Sequence, residues 1–231
     1  MKKLNFVLAA VFLLSTTTAF ASLTTYQQYV GQVGYSSDGF GSLSQSGTIS
    51  ASVPVGSTVL AAYLYSATFG NASGAGVGGT LGGIALAGGT FVLNSAVSGD
   101  LGATRFDVTS IVSPVINGGA GGVYNFAITE TSSLQDGEAL VVVYSNSSLG
   151  TNTFAILDGF SAAGGDSFSA NFINPLNPAA SGFFAEMALG IGYSCCNQQS
   201  TVSVNGTTIT NTAGNNDDGL GSDAEIGRAH V

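Results

Sequence analysis

Glu138-Ala139-Leu140-Val141-Val142-Val143-Tyr144 decides the fold class. After its first residue the run has no polar position, so the alternation of a half-exposed strand is missing and both faces must be covered. Consecutive valines crowd χ1 in a helix but suit a pleated strand. Leu60-Ala61-Ala62-Tyr63-Leu64-Tyr65 has the same unbroken character, with a buried helix as its alternative. Farther along, Tyr124, Phe126 and Ile128 alternate with Val123, Asn125, Ala127 and Thr129, which puts the large residues on one buried face.

Outward from these runs, short segments rich in Val, Ile, Phe, Tyr and Thr are separated by Gly, Asn, Asp and Ser. The pattern predicts strands over 46–53, 58–68, 83–93, 101–108, 122–130, 138–145, 153–158, 166–172, 183–191 and 199–205. The expected fold is all-β, a two-sheet antiparallel β-sandwich of jelly-roll type over 46–213, preceded by a strand or loop segment over 22–45. One helical turn is expected after Asp107, capped by Asp107 or Thr109 and stopped by Pro114. The nine glycines from Gly70 to Gly89 read as a turned connection holding one β-hairpin. They carry no phosphate-binding spacing followed by Lys and Ser or Thr. Asn174-Pro175-Leu176-Asn177-Pro178 marks a rigid turn.

Both ends read differently from the body. Lys2 and Lys3, the apolar Leu4 to Leu14 and Ala19-Phe20-Ala21 form a basic start, a hydrophobic core and a small-x-small cleavage site. Residues 1–21 are therefore expected to be an export signal cleaved after Ala21. With no cysteine after the apolar run, a lipid anchor is not expected. At the other end, Glu225-Ile226-Gly227-Arg228-Ala229-His230-Val231 back-translates as GAG-ATC-GGA-AGA-GCA-CAC-GTC, which resembles a sequencing adapter. Residues 225–231 are thus expected to be a non-native tail, and the natural chain to continue beyond residue 224.

Between those ends the chain is acidic and nearly free of cations. Charged residues make up 7% of the sequence, against about 25% in an ordinary globular chain. From Ser22 to Ala224 twelve acids face one base, Arg105, so the formal charge is 1 − 12 = −11. Nucleic-acid binding needs phosphates neutralised, and anionic lipid needs the same. Neither is an expected partner, and no apolar run of the body is long enough for a transmembrane helix. Once the tail is set aside there is no histidine, which removes the Ser-His-Asp triad and the usual catalytic zinc site. The absence of lysine from the body removes Schiff-base chemistry and a phosphate-loop lysine.

What remains is oxygen and sulfur chemistry. Asn215, Asn216, Asp217, Asp218 and Asp223, spaced by Gly219 and Gly221, concentrate hard ligands for Ca2+, although the spacing is not that of an EF-hand. The competing view is a solvated acidic linker over 214–224. Asp100, Asp107 or Asp158 at strand ends is a looser calcium alternative. Carboxylate hydrolysis would draw on Glu130, Asp136, Glu138, Asp158 or Glu186. More simply, Asp136-Gly137 is a hairpin turn with Glu138 facing solvent, and Asp158-Gly159 a turn at a strand end. Cys195-Cys196 is the one thiol pair, open to a strained vicinal disulfide, bridges to other cysteines or two reduced thiols. Arg105 and Asp107 share a strand face and are the expected structural ion pair, with an acid from another strand as the alternative. Tyr26, Tyr29, Tyr35, Phe40, Phe168 and Tyr193 could line a ligand surface but are first of all packing residues.

The order of phrases carries a resemblance: Leu60 to Tyr65, then Phe106-Asp107-Val108-Thr109-Ser110-Ile111-Val112, Glu138 to Ser145, and Ile156-Leu157-Asp158-Gly159-Phe160. It resembles an uncharacterised family of secreted bacterial and archaeal surface β-sandwich domains. Some members carry a C-terminal Pro-Glu-Pro sorting segment, which is missing from this sequence. The first two phrases are also similar to modules of adhesins and carbohydrate-active proteins. The resemblance implies an exported, non-catalytic structural or adhesion protein, at the outer surface of a Gram-negative bacterium or in its matrix. Its expected partners are cell-surface glycans, matrix, other proteins or further copies of itself. A calcium-dependent carbohydrate-binding module is the first alternative and a carboxylate glycoside hydrolase the second.

Overall fold

A computed structural model describes residues 23–41, 44–69, 77–92, 101–159, 165–191, 200–213 and 225–230. The first strands are β1 (Thr24–Gly31), β2 (Val33–Phe40), β3 (Ser46–Val53) and β4 (Thr58–Phe69). Next come β5 (Gly79–Leu81), β6 (Ile84–Ala85), β7 (Thr90–Phe91) and β8 (Leu101–Asp107), which leads into helix α1 (Thr109–Ile116). The remainder is β9 (Gly122–Glu130), β10 (Gln135–Ser145), β11 (Asn152–Asp158), β12 (Glu186–Ile191), β13 (Ser200–Val204), β14 (Thr207–Ala213) and β15 (Glu225–His230).

The chain is all-β in class, and its described strand pairings are antiparallel. The apolar run of β10 sits inside a five-stranded sheet of order β2-β10-β4-β8-β7. On one face Leu140, Val142 and Tyr144 join Ala62, Leu64 and Phe106. They pack against Ile49, Ala51, Val53, Leu81, Phe126 and Ile128 of a four-stranded sheet of order β3-β9-β5-β6, and against Val112 and Ile116 of α1. On the other face Val143, Ala61 and Tyr63 meet Ile156, with Tyr26, Tyr29, Tyr65, Val141 and Phe154 around them. That second cover is the β1–β11 ladder. A strand without polar alternation is thus covered on both sides, and the alternating residues of β9 line one face of the main core.

Register explains the exception in the Leu60 run. Between β10 and β4 the pairing shifts from Val143↔Ala61 to Tyr144↔Val59, a bulge that skips Leu60. Val59 enters the core while Leu60 stays 43% exposed.

Polar side chains close the gap between the two main sheets. The Ser50 N–H donates to Asp38 Oδ2 at 2.6 Å, and the Ser52 N–H to Ser36 Oγ at 2.9 Å. Side chains of β2 thereby satisfy main-chain donors of β3 where no ladder forms, which blunts an edge otherwise open to another chain.

Several expectations are corrected. Residues 166–172 form no strand; there the segment meets β1 through the Gln28 amide, which donates to the Asn171 carbonyl at 2.6 Å and accepts from the Ile173 N–H at 2.8 Å. Alternation was present, but a side chain supplies the partner that a strand would need. The expected strand over 83–93 is two short pieces, β6 and β7, separated at Gly88 and Gly89. Asp136-Gly137 is not a hairpin turn but lies inside β10, with the turn displaced to 131–134. Pro114 lies inside α1 rather than ending it. The N–H it lacks would have addressed the carbonyl of exposed Ser110, which water can satisfy, while Val112 and Ile116 are buried and hold the helix down.

One glycine is required outright. Gly79 has φ +135°, and a Cβ there would fall on the Thr129 carbonyl oxygen across the β5–β9 ladder. Gly79→Ala is expected to cost about 1–3 kcal/mol in urea unfolding. Gly83→Ala, at φ +78° but facing open space, adds strain without a clash and should cost less.

Candidate functional site

The densest polar chemistry among the described residues lies between the β1–β11 ladder and the central sheet. Arg105 is on the outer face of β8, opposite Tyr65 of β4. Its guanidinium Nη1 pairs with Asp158 Oδ2 at the end of β11. The same guanidinium lies 3.4 Å from the ring centroid of Tyr26, and Tyr65 donates its hydroxyl to Asp158 Oδ2 at 3.3 Å. Around this centre Tyr26 meets Tyr63 edge to face at 5.2 Å, and the Tyr29 and Tyr63 hydroxyls are 3.3 Å apart. Phe154 stacks on Tyr35 at 4.7 Å and on Tyr29 at 6.4 Å. Burial, with the Asp158 charge next, pushes the Tyr65 phenol above the ordinary tyrosine range. Burial and the Tyr29 hydroxyl do the same to Tyr63. Both therefore remain neutral donors at any ordinary pH.

The ion pair differs from the expected one. Arg105 pairs with Asp158, not with Asp107, because the second layer brings β11 over the face on which Arg105 lies. Asp107 instead accepts from the Thr109 N–H at 3.0 Å at the start of α1, one of its two expected capping partners. A lone interior cation signalled that an acid must meet it; which acid depended on a contact between sheets.

A second polar centre lies on the opposite face of the central sheet. Glu138, expected at the surface, is 2% exposed. Its Oε1 accepts from Ser66 Oγ at 2.9 Å and from Gln135 Nε2 at 3.2 Å. Gln135 Oε1 in turn accepts from the Thr131 N–H at 3.1 Å and the Gly78 N–H at 3.4 Å, and its Nε2 donates to the Gly78 carbonyl at 2.9 Å.

The other expected site residues separate rather than converge. Glu138 and Asp158 belong to opposite faces of the central sheet, and Glu186 accepts the Tyr35 hydroxyl. Glycosidase acids stand about 5–9.5 Å apart across an open cleft, whereas Glu138 has no open face. Tyr26, Tyr29 and Tyr35 pack in the second cluster, Phe40 in the main core, and Phe168 is exposed. Asn215, Asn216, Asp217, Asp218 and Asp223, together with Cys195, Cys196, Tyr193 and Asp100, lie outside the described residues. Among the described residues no group of three or more His, Cys, Asp or Glu could hold a metal ion, and no helix is long and apolar enough to cross a membrane.

A shallow polar depression of about 310 Å3 is lined by Gln32, Gly56, Thr58, Ser145, Asn146 and Ser147. Its amides are already committed. Gln32 donates to the Ser147 and Leu149 carbonyls, and Asn146 donates to the Val55 carbonyl and Ser57 while accepting from Ser148.

No protein-family model matches the chain, and no curated protein or solved structure does either.

Proposed function

We propose that the protein is an exported, non-catalytic surface or matrix module that works by cohesion and adhesion, of the kind its ordered phrases resemble. The observation that carries this reading is the use made of the described carboxylates. Asp38, Asp107 and Asp166 accept main-chain N–H groups, Asp158 holds Arg105, Glu138 is bonded by Ser66 and Gln135, and Glu186 takes the Tyr35 hydroxyl. Glu130 and Asp136 are engaged as well. Acids already bonded within the chain, several of them between layers, are poor general acids and bases for a substrate. In this reading the five- and four-stranded sheets act as a jelly-roll-like two-sheet sandwich, exposed loops supply the binding surface, and the export signal places the module outside a Gram-negative cell. The suggested partners are surface glycan, matrix or protein.

The test is a binding screen of the exported chain on glycan arrays and matrix components, with calcium or with EDTA, beside a hydrolysis screen on the same glycans. Retention on a surface component in EDTA, without hydrolysis, is the expected result. Binding that vanishes in EDTA would replace it with the calcium-dependent carbohydrate module, and sugar release would replace both.

A further inference from the structure

The acid at Glu138 has an unresolved valence. Its Oε1 is fully used by Ser66 and Gln135, while Oε2 is sealed from solvent with no N–H or O–H donor on it. The Glu130 carboxyl, at the end of β9, lies within hydrogen-bonding reach of the Glu138 carboxyl. Two carboxyl groups can bond only through a proton held by one of them. We propose that Glu130 and Glu138 share one proton and form an acid-set latch that closes the β9–β10 turn and the Gly78 segment ahead of β5 onto the central sheet.

Among the described residues no other neutraliser meets Glu138. From β4 the group is met by Ser66, its cross-strand neighbour, from the end of β9 by Glu130 and from the start of β10 by Gln135, with Asp136 two residues away along β10. On β2, Phe40 lies opposite Glu138, and Asp38, farther along the same face, is turned to the Ser50 N–H. Gly78 contributes neutral main chain bound to Gln135. Arg105, the one cation with a described side chain, is on the other face with Asp158. Both carboxyls of such a pair cannot ionise together at low cost. Gln135 also points N–H donors at Glu138, which suits a carboxyl and not a bound cation.

Burial drives the Glu138 carboxyl above the ordinary carboxylate range, against the opposing pull of its hydrogen bonds. A group whose folded value is raised contributes stability that is complete below its unfolded value and is lost as pH rises through the folded one. The latch is therefore closed in acid and weakens as pH rises above the ordinary carboxylate range. Because Gln135 ties Thr131, Gly78 and Ser66 to the same carboxyl, those segments are the ones released.

The experiment follows the thermal midpoint of the full chain from about pH 4.5 to about pH 8.5 in EDTA, for wild type, Glu138→Gln and Glu130→Gln. The wild-type midpoint should fall by several degrees more than that of Glu138→Gln, in which an amide N–H replaces the shared proton as donor to Glu130. Equal slopes in wild type and Glu138→Gln would overturn the proposal. So would a rise at high pH when calcium replaces EDTA in a parallel series, if Glu138→Gln abolishes it, since the pair would then hold a cation. An independent readout needs no variant: an infrared band of a protonated carboxyl should persist in the wild type above the ordinary carboxylate range, and its absence would also overturn the latch.

Discussion

Leu140→Ala is expected to lower the unfolding free energy by about 2–5 kcal/mol. Leu140 is fully buried in β10, at the seam where the five-stranded sheet meets the four-stranded one. Neighbours drawn from different strands of both sheets cannot collapse together into the space left behind, so transfer and cavity costs add. Urea unfolding followed by far-ultraviolet circular dichroism provides the measurement. Val141→Ala provides the comparison: it points to the opposite face and is only partly buried against the tyrosine cluster. Its loss should be clearly smaller. Equal losses would mean that the two faces of β10 are not covered as the structure has them.

Removing the guanidinium is the other large effect. Arg105→Ala should cost about 2–4 kcal/mol, most of it the penalty of leaving Asp158 charged beneath the β1–β11 layer with no partner. Both side chains are 13% exposed, so solvent can soften this loss but not erase it. The stacking of Arg105 on Tyr26 is lost as well. Asp158→Asn should also be destabilising, because it leaves the Arg105 guanidinium without its counter-charge, although the amide oxygen can still accept from Tyr65. The double variant Arg105→Met with Asp158→Leu is expected to recover much of the loss, because a packed apolar pair avoids the desolvation cost of the ions. A double-mutant cycle in chemical denaturation measures the coupling. If Arg105→Ala and Asp107→Ala coupled more strongly than Arg105→Ala and Asp158→Asn, the assignment of Asp158 would fail.

The parts of the fold legible in the chain were those in which one residue type sits under one local constraint. The Val-rich run could only be a covered strand, and the period-2 pattern of Tyr124, Phe126 and Ile128 could only put those residues on one face. Both are found. Asn205-Gly206 was an equally local signal, standing between Val204 and Thr207. The structure makes it the turn of the β13–β14 hairpin, with Asn205 at φ +50°, so β14 could have been anticipated from it. β1 and β2 were hidden differently. Their residues are polar or tyrosine-rich and carry little hydrophobic periodicity, so pairing to β11 and β10 is what makes them strands. β15 pairs with β12 along the main chain. Main-chain pairing accepts almost any side chains, so the ladder says nothing about where those residues came from.

The candidate sites divide in the same way. That Arg105 needed an acid followed from composition, because a lone interior cation is too costly unpaired. That the acid is Asp158, and that Glu138 is shut in beside Glu130 rather than facing water, depended on which sheet lies over which face.

Composition and short-range pattern alone set the β class of this chain, its two-sided central strand and its poverty in amine and imidazole chemistry. These properties depend on each residue's own shape, charge and immediate neighbours. Only packing in three dimensions chose the partners of the acids, the covering of the second face and the bulge that expels Leu60. Such choices rest on contacts between segments far apart along the chain, and no local stretch of sequence encodes the distance between them.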